Sequence, residues 1–153
     1  LKLFPFTKKA EQHFTPPEQQ RIVQAIRQAE KNTSGEVRVF IESRCSYVEA
    51  IDRAAELFFG LKMDKTNDRN AVLFYIAIKD HQLALFADEG IYQRMGAAYW
   101  QKEVDIIIND FTAKNLVEGI CHCVTDIGNA LQEQFPFESD DKNELPDEII
   151  FGK

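Results

Sequence analysis

Ala71-Val72-Leu73-Phe74-Tyr75-Ile76-Ala77-Ile78 is an unbroken apolar run of strand-forming residues, the pattern of a strand buried on both faces. Lys79-Asp80-His81-Gln82 interrupts it, and Leu83 to Ala87 follows within hairpin distance. Upstream, Glu36 to Glu42 alternates, with Val37, Val39 and Ile41 on one face. Between these strands, Ser46-Tyr47-Val48-Glu49 has the form of a capping box. It predicts a helix through Ile51, Ala54, Ala55 and Phe58 that stops near Gly60. Strand, helix and strand in that order make a right-handed crossover with parallel strands. The next strand then returns antiparallel.

Further out, Thr15-Pro16-Pro17-Glu18 is a second capping box with proline at the first helical position. Ile22, Val23, Ile26 and Ala29 recur behind it at helical spacing, and Thr33-Ser34-Gly35 ends that helix. After Gly90 two more helical stripes appear: Trp100, Val104, Ile107, Ile108 and Phe111, then Leu116, Ile120, Val124, Ile127 and Leu131. Helices must cover both faces of a small mixed sheet, so the fold class is α/β, a three-layer α/β/α sandwich. The folded domain is expected over residues 1–136. Residues 137–153 form an acidic tail, with Glu148-Ile149-Ile150-Phe151 apolar enough to dock as an edge strand.

The chain has 153 residues, 44% of them hydrophobic, enough for one domain with its own core. Its formal net charge is −7, and six carboxylates against two lysines after Pro136 supply −4 of it. Such a balance disfavours nucleic acid and anionic membrane surfaces as partners. No apolar run is long enough to span a bilayer. Cys45, Cys121 and Cys123 are too few for a disulfide framework, and a helix would turn Cys121 and Cys123 away from each other. A reducing, cytoplasmic setting and a monomer are expected, or export if a leader preceding Leu1 has been removed.

The chain lacks a phosphate-binding glycine loop, a dinucleotide fingerprint and a nucleophile elbow. The sixth residue past Cys45 is Ile51, where a thiol phosphatase needs arginine. His13, His81 and His122 lie far apart, with His122 expected on a core helix. Side-chain nucleophilic catalysis therefore finds little support.

Oxygen ligands are better represented. Asp64-Lys65-Thr66-Asn67-Asp68-Arg69-Asn70 alternates side-chain oxygens but lacks the glycine and the terminal glutamate of an EF-hand loop. A two-residue turn at Asp80-His81 sets Asp88 opposite Leu73 and brings Asp88-Glu89-Gly90 beside Asp68 and Asn70. Asp64, Asp68, Asn70, Asp88 and Glu89 thus become candidate ligands for a hard divalent cation, and Arg69 a candidate counter-charge among them. Solvated loop acids are the competing reading of the same residues. At the other end of the sheet, Arg44 and Ser46 form a candidate anion site after the first strand, with Arg69 as a further phosphate contact.

Thr33-Ser34-Gly35-Glu36-Val37-Arg38-Val39, Asp68-Arg69-Asn70-Ala71-Val72-Leu73 and Ala87-Asp88-Glu89-Gly90-Ile91, in that order, resemble the TPM domain. The likeness runs from Phe14 to Pro136 in a family named for a thylakoid lumen protein and its relatives. It implies an α/β/α sandwich and divalent cation binding at acidic loops, calcium foremost, with magnesium or manganese as alternatives. It also implies acid phosphatase activity, attributed to plant thylakoid members that help repair photosystem II. A nematode relative assists acetylcholine receptors, so binding roles occur as well. Ala71 and Ala87 stand where the family often has glycine, and the membrane anchors and low-complexity tails of many relatives are not seen. The metal role carries over to Asp88 and the Asp68–Asn70 stretch. The phosphatase role lacks an identifiable nucleophile and leaves only a metal-activated water, hence weak and metal-dependent hydrolysis. Three readings follow: a stand-alone cation-binding module, regulatory or binding in role; a metal-dependent phosphomonoesterase; and an interaction module using the acidic surface.

Overall fold

The computed structural model describes residues 9–113, 115–137 and 147–153. Its elements are α1 (Pro16–Glu30), β1 (Glu36–Glu42), α2 (Ala50–Gly60), β2 (Ala71–Ala77), β3 (Gln82–Ala87), α3 (Glu89–Met95), α4 (Ala97–Ala113), α5 (Leu116–Gln134) and β4 (Ile150–Phe151). The strand order is β3-β2-β1-β4. β1 pairs in parallel with both β2 and β4, and β3 returns antiparallel along β2.

Both faces of β1 and β2 are buried, and the two sets of side chains feed two separate cores. Val37, Val39, Ile41, Val72, Phe74 and Ile76 face α1 and α5. Phe40, Leu73 and Tyr75 face Ala54 and Phe58 of α2 and the following Met63. With α1 and α5 on one side and α2 on the other, the three-layer α/β/α sandwich expected from the strand pattern is the observed fold. On the α1/α5 side the packing is close: a Cβ on Gly128 would lie 2.6 Å from the Cβ of Ala29.

The first capping box is formed as read. The Thr15 hydroxyl accepts from the Glu18 amide at 3.2 Å, and the Glu18 carboxylate accepts from the Thr15 amide at 2.8 Å. The second is not. Helix α2 starts at Ala50 after Glu49, which makes no side-chain cap. Instead Asp80 accepts from the Cys45 amide at 2.7 Å, and the Tyr47 hydroxyl reaches Glu56, so residues 45–49 stay outside the helix. Tertiary partners outweigh the local capping signal there.

The β2–β3 hairpin closes on Ala77 opposite Gln82, two residues short of the register that an Asp80-His81 turn requires. The loop is Ile78-Lys79-Asp80-His81, and His81 adopts a left-handed φ of 53°. A slip of two preserves which side chains share a face. Asp88 therefore follows Ala87 and donates its amide to the Ala71 carbonyl at 2.9 Å rather than standing opposite Leu73. The short α3 is an element the periodicity did not separate from α4. In α4, Trp100 and Ile107 are buried, but Ile108 is 48% exposed and falls outside the packed stripe.

After Phe137 the chain is described again from Asp147, and the candidate edge strand is present as β4 against Phe40 and Ile41. Phe151 packs on Phe14 at 6.1 Å between ring centroids. Glu138, Asp140, Asp141 and Glu144, four of the six tail acids, lie outside the described residues. Among the described residues, no helix is long and apolar enough to cross a membrane.

Candidate functional site

The amino end of β2 and the start of α3 meet in the corner anticipated from the hairpin. Asp88 is the N-cap of α3, and its Oδ1 accepts the Glu89 amide at 2.8 Å. A carboxylate there also meets the positive end of the helix. Arg69 grips the same carboxylate with two bonds, Nε to Oδ2 at 2.7 Å and Nη2 to Oδ1 at 2.8 Å. Its Nη1 lies 3.3 Å from Glu89 Oε1. Hydrogen bonding to Asp88, then the fields of Asp88, Glu89 and Asp64, raise the Arg69 pKa. Arg69 is thus the resident cation of the corner. Asp64 is half-buried and lies 3.5 Å from Lys65 Nζ.

Two backbone features hold this arrangement. Arg69 takes a left-handed φ of 50°, unusual for a residue with a side chain. Gly90 presses on the loop so closely that a Cβ there would sit 2.2 Å from the Asp68 carbonyl oxygen and 2.5 Å from that of Arg69. The glycine of Asp88-Glu89-Gly90 is required by this approach.

Ser34 links the remaining candidates. Its hydroxyl donates to Asp68 Oδ2 at 3.2 Å and accepts from Asn70 Nδ2 at 3.1 Å. Asn70 is 1% exposed, its amide N–H donates to the Thr66 hydroxyl at 3.3 Å, and its Oδ1 has no hydrogen-bond partner. A buried acceptor left unpaired is costly, on the order of 1–3 kcal/mol. Asp68 and Glu89 remain exposed.

The donors suit calcium, magnesium or manganese in kind, being hard oxygens. Their present arrangement is organised around a guanidinium instead. Among the described residues, no three of His, Cys, Asp or Glu are placed together to hold a metal ion. An ion would need Arg69 to release Asp88.

At the carboxyl end of β1, Arg44 and Ser46 do not converge. Arg44 Nη1 bonds Asp80 Oδ1 at 2.8 Å, while Ser46 is exposed in the loop before α2 and caps nothing. Beside them lies a polar group that the sequence did not single out. Glu42, 7% exposed, takes Arg53 Nε at 2.9 Å and Nη2 at 3.0 Å, along with the Tyr75 hydroxyl. Burial and that carboxylate drive the Tyr75 pKa well up, and hydrogen bonding to Glu42 raises that of Arg53.

A third group joins α4 to α5. His122 is exposed, not turned into the core. Its Nδ1 lies 3.2 Å from Asp110, and its Nε2 lies 3.7 Å from Asp126. The hydrogen bond with Asp110, then the field of Asp126, raises its pKa. Glu103 beneath them is pushed up to about 7, by burial first and then by sharing a hydrogen bond with Asp126. The spacing of His122 and Asp126, one helical turn apart, was the available signal. Cys123 is buried, Cys121 half-buried, and all three cysteines are free.

The TPM domain family profile matches residues 8–130. No curated protein resembles the chain closely enough to count as a match. Among solved structures, the BA42 protein of the psychrophilic bacterium Bizionia argentinensis is 38% identical, with a TM-score of 0.85 over 95% of this chain and 100% of that one. The N-terminal domain of the cg2496 protein of Corynebacterium glutamicum shares the fold, with a TM-score of 0.63, 10% identity and 86% of each chain covered. The profile spans the sandwich from before α1 into α5 and includes both loops of the acidic corner. The chain belongs to the TPM domain family.

Proposed function

We propose that this chain works as a divalent-cation-binding module, calcium foremost, at the corner formed by Asp64, Asp68, Asn70, Asp88 and Glu89. The observation that carries the reading is Asn70 Oδ1, a buried acceptor without a hydrogen-bond partner, linked through Ser34 to the Asp68 carboxylate. A cation supplies what that oxygen lacks. Arg69 acts as the built-in competitor: its guanidinium neutralises Asp88 and Glu89 until an ion takes over that charge. Once bound, a divalent ion would supply charge neutralisation and, for a phosphate ester, Lewis-acid polarisation and a more acidic water. Gly90 holds the loop carbonyls against α3, and Asp88 keeps its cap on the Glu89 amide.

A calcium titration followed by amide chemical shifts and by thermal melting tests this. With few protein ligands and open access, the dissociation constant is expected on the order of 10⁻⁴ M. At about a hundred times that concentration, stability should rise by roughly 2.7 kcal/mol. Shifts should concentrate at Asp68–Asn70 and Asp88–Gly90. Asp88→Asn should weaken binding, while Arg69→Gln should tighten it by removing the competitor. An unchanged melting temperature in millimolar calcium, or weaker binding in Arg69→Gln, would sink the reading.

A further inference from the structure

The opposite end of the sheet carries a second charged feature, of the other sign. Where β1, β2 and β4 run out at their carboxyl ends, a cleft of about 780 Å³ opens between Glu42-Ser43-Arg44 and Phe151-Gly152-Lys153, with Lys9 and Lys79 on its walls. It lies outside the carboxyl ends of the strands, the usual ligand position in open α/β sheets.

The backbone at that crevice is stitched across three strands. The Ser43 amide donates to the Lys153 carbonyl at 2.8 Å, and the Ser43 carbonyl accepts from the Lys79 amide at 2.8 Å. Continuing the register of Glu42 with Ala77 puts Arg44 beside Lys79, and that of Ile41 with Phe151 puts Ser43 beside Lys153. Cationic residues from three strand ends, Arg44, Lys79 and Lys153, therefore line one cleft, with Lys9 joining from the segment before α1.

The charge balance there opposes that of the whole molecule. A chain of net −7 gathers four cations on one cleft, and Glu42 is the one acid among its described lining residues. Glu42 is already answered by two bonds from Arg53 and one from Tyr75. Asp80, next to the rim, is answered by Arg44 and by the Cys45 amide. Among the described residues, Lys9, Lys79 and Lys153 have no ion-pair partner. Arg44 uses one nitrogen on Asp80 and keeps 70% of its side chain exposed, with donors to spare.

We propose that this cleft binds a small organic phosphate dianion, without a metal and without hydrolysing it. Lys79, Lys153 and Lys9 supply charge, Arg44 supplies directed N–H donors, and the Phe151 ring offers an apolar wall for the carbon skeleton. The site differs from the arginine–serine pair expected from sequence, because Ser46 is replaced by lysines from two other strand ends. It is also independent of the acidic corner, which lies at the amino end of β2.

The experiment is an amide chemical-shift titration of the full chain in excess chelator, with inorganic phosphate and then ribose 5-phosphate. Chloride at matched ionic strength and neutral ribose serve as controls. Saturable shifts are expected at Ser43, Arg44, Lys79 and Gly152, with the sugar phosphate binding tighter than phosphate and ribose not at all. The surface variant Lys79→Gln/Lys153→Gln should weaken ribose 5-phosphate by roughly tenfold while leaving the thermal transition in place. Shifts that merely track the chloride control, or that cluster at Asp68–Asn70, would overturn the site. Release of inorganic phosphate from ribose 5-phosphate in chelator would overturn its non-catalytic character.

Discussion

Glu42→Ala should lower stability by about 3 kcal/mol and the melting temperature by roughly 6–12 °C. The carboxylate is 7% exposed and holds three donors: two nitrogens of Arg53 and the hydroxyl of Tyr75, a residue with no exposed surface. Truncation takes the carboxylate acceptor from the buried Tyr75 hydroxyl and leaves it only the weak acceptor of the Cys45 sulfur. Arg53 keeps 22% of its side chain exposed and finds water, which places the cost at the lower end for a broken buried pair. Glu42→Gln keeps the shape and an acceptor for Tyr75, and should cost about 1.5 kcal/mol for the lost charge. Urea unfolding of the three proteins measures this series. An alanine variant within about 0.5 kcal/mol of the parent would mean that the three bonds do not hold the strand exit together.

Gly90→Ala is expected to cost about 2 kcal/mol net and to damage the acidic corner at the same time. The new methyl would meet the Asp68 and Arg69 carbonyl oxygens at 2.2 and 2.5 Å, and these are backbone atoms with no rotamer to change. Forced overpacking of this kind costs about 3 kcal/mol, and alanine's better helix propensity returns about 1. The loop must move, and Arg69 with it, so the two bonds to Asp88 loosen. The measurement is a thermal melt paired with amide shifts of Asp68–Asn70. A variant with parental stability and unmoved loop resonances would contradict the close approach.

The sandwich was legible because each strand announces itself through its own neighbours. Ala71 to Ile78 is apolar throughout, and the Thr15 capping box needs nothing beyond its own four residues. The corner was legible too, since a hairpin of any short length returns the chain after Ala87 to the start of β2. Its register was off by two, because the turn that forms depends on His81 reaching a left-handed backbone and not on loop length. What stayed hidden were arrangements set by distant partners. Asp80, from the hairpin turn, captures the Cys45 amide and cancels a capping box that reads well locally. His122 faces outward because Asp110 from α4 meets it there, a pairing no single helix reveals. The lysines of the strand-end cleft sit on three segments that meet only once β4 has docked.

That docking also orders the assembly of the molecule. Phe40 and Tyr75 are strand neighbours 35 residues apart, whereas Phe40 and Ile150 are neighbours some 110 residues apart. Closing the longer loop costs about 1 kcal/mol more in chain entropy, and the strand that closes it is just two residues long. The strands from β1 to β3 are therefore expected to pair before β4, the last strand to join and the first to leave. Native-state hydrogen exchange should show it: the Ser43 and Gly152 amides, bonded to Lys153 and Ile41, open at lower free energy than the amides between β1 and β2. Equal protection across all of them would place β4 in the nucleus. If the order holds, the wall of the basic cleft opens on a faster clock than the rest of the sheet, and anything bound there slows that clock.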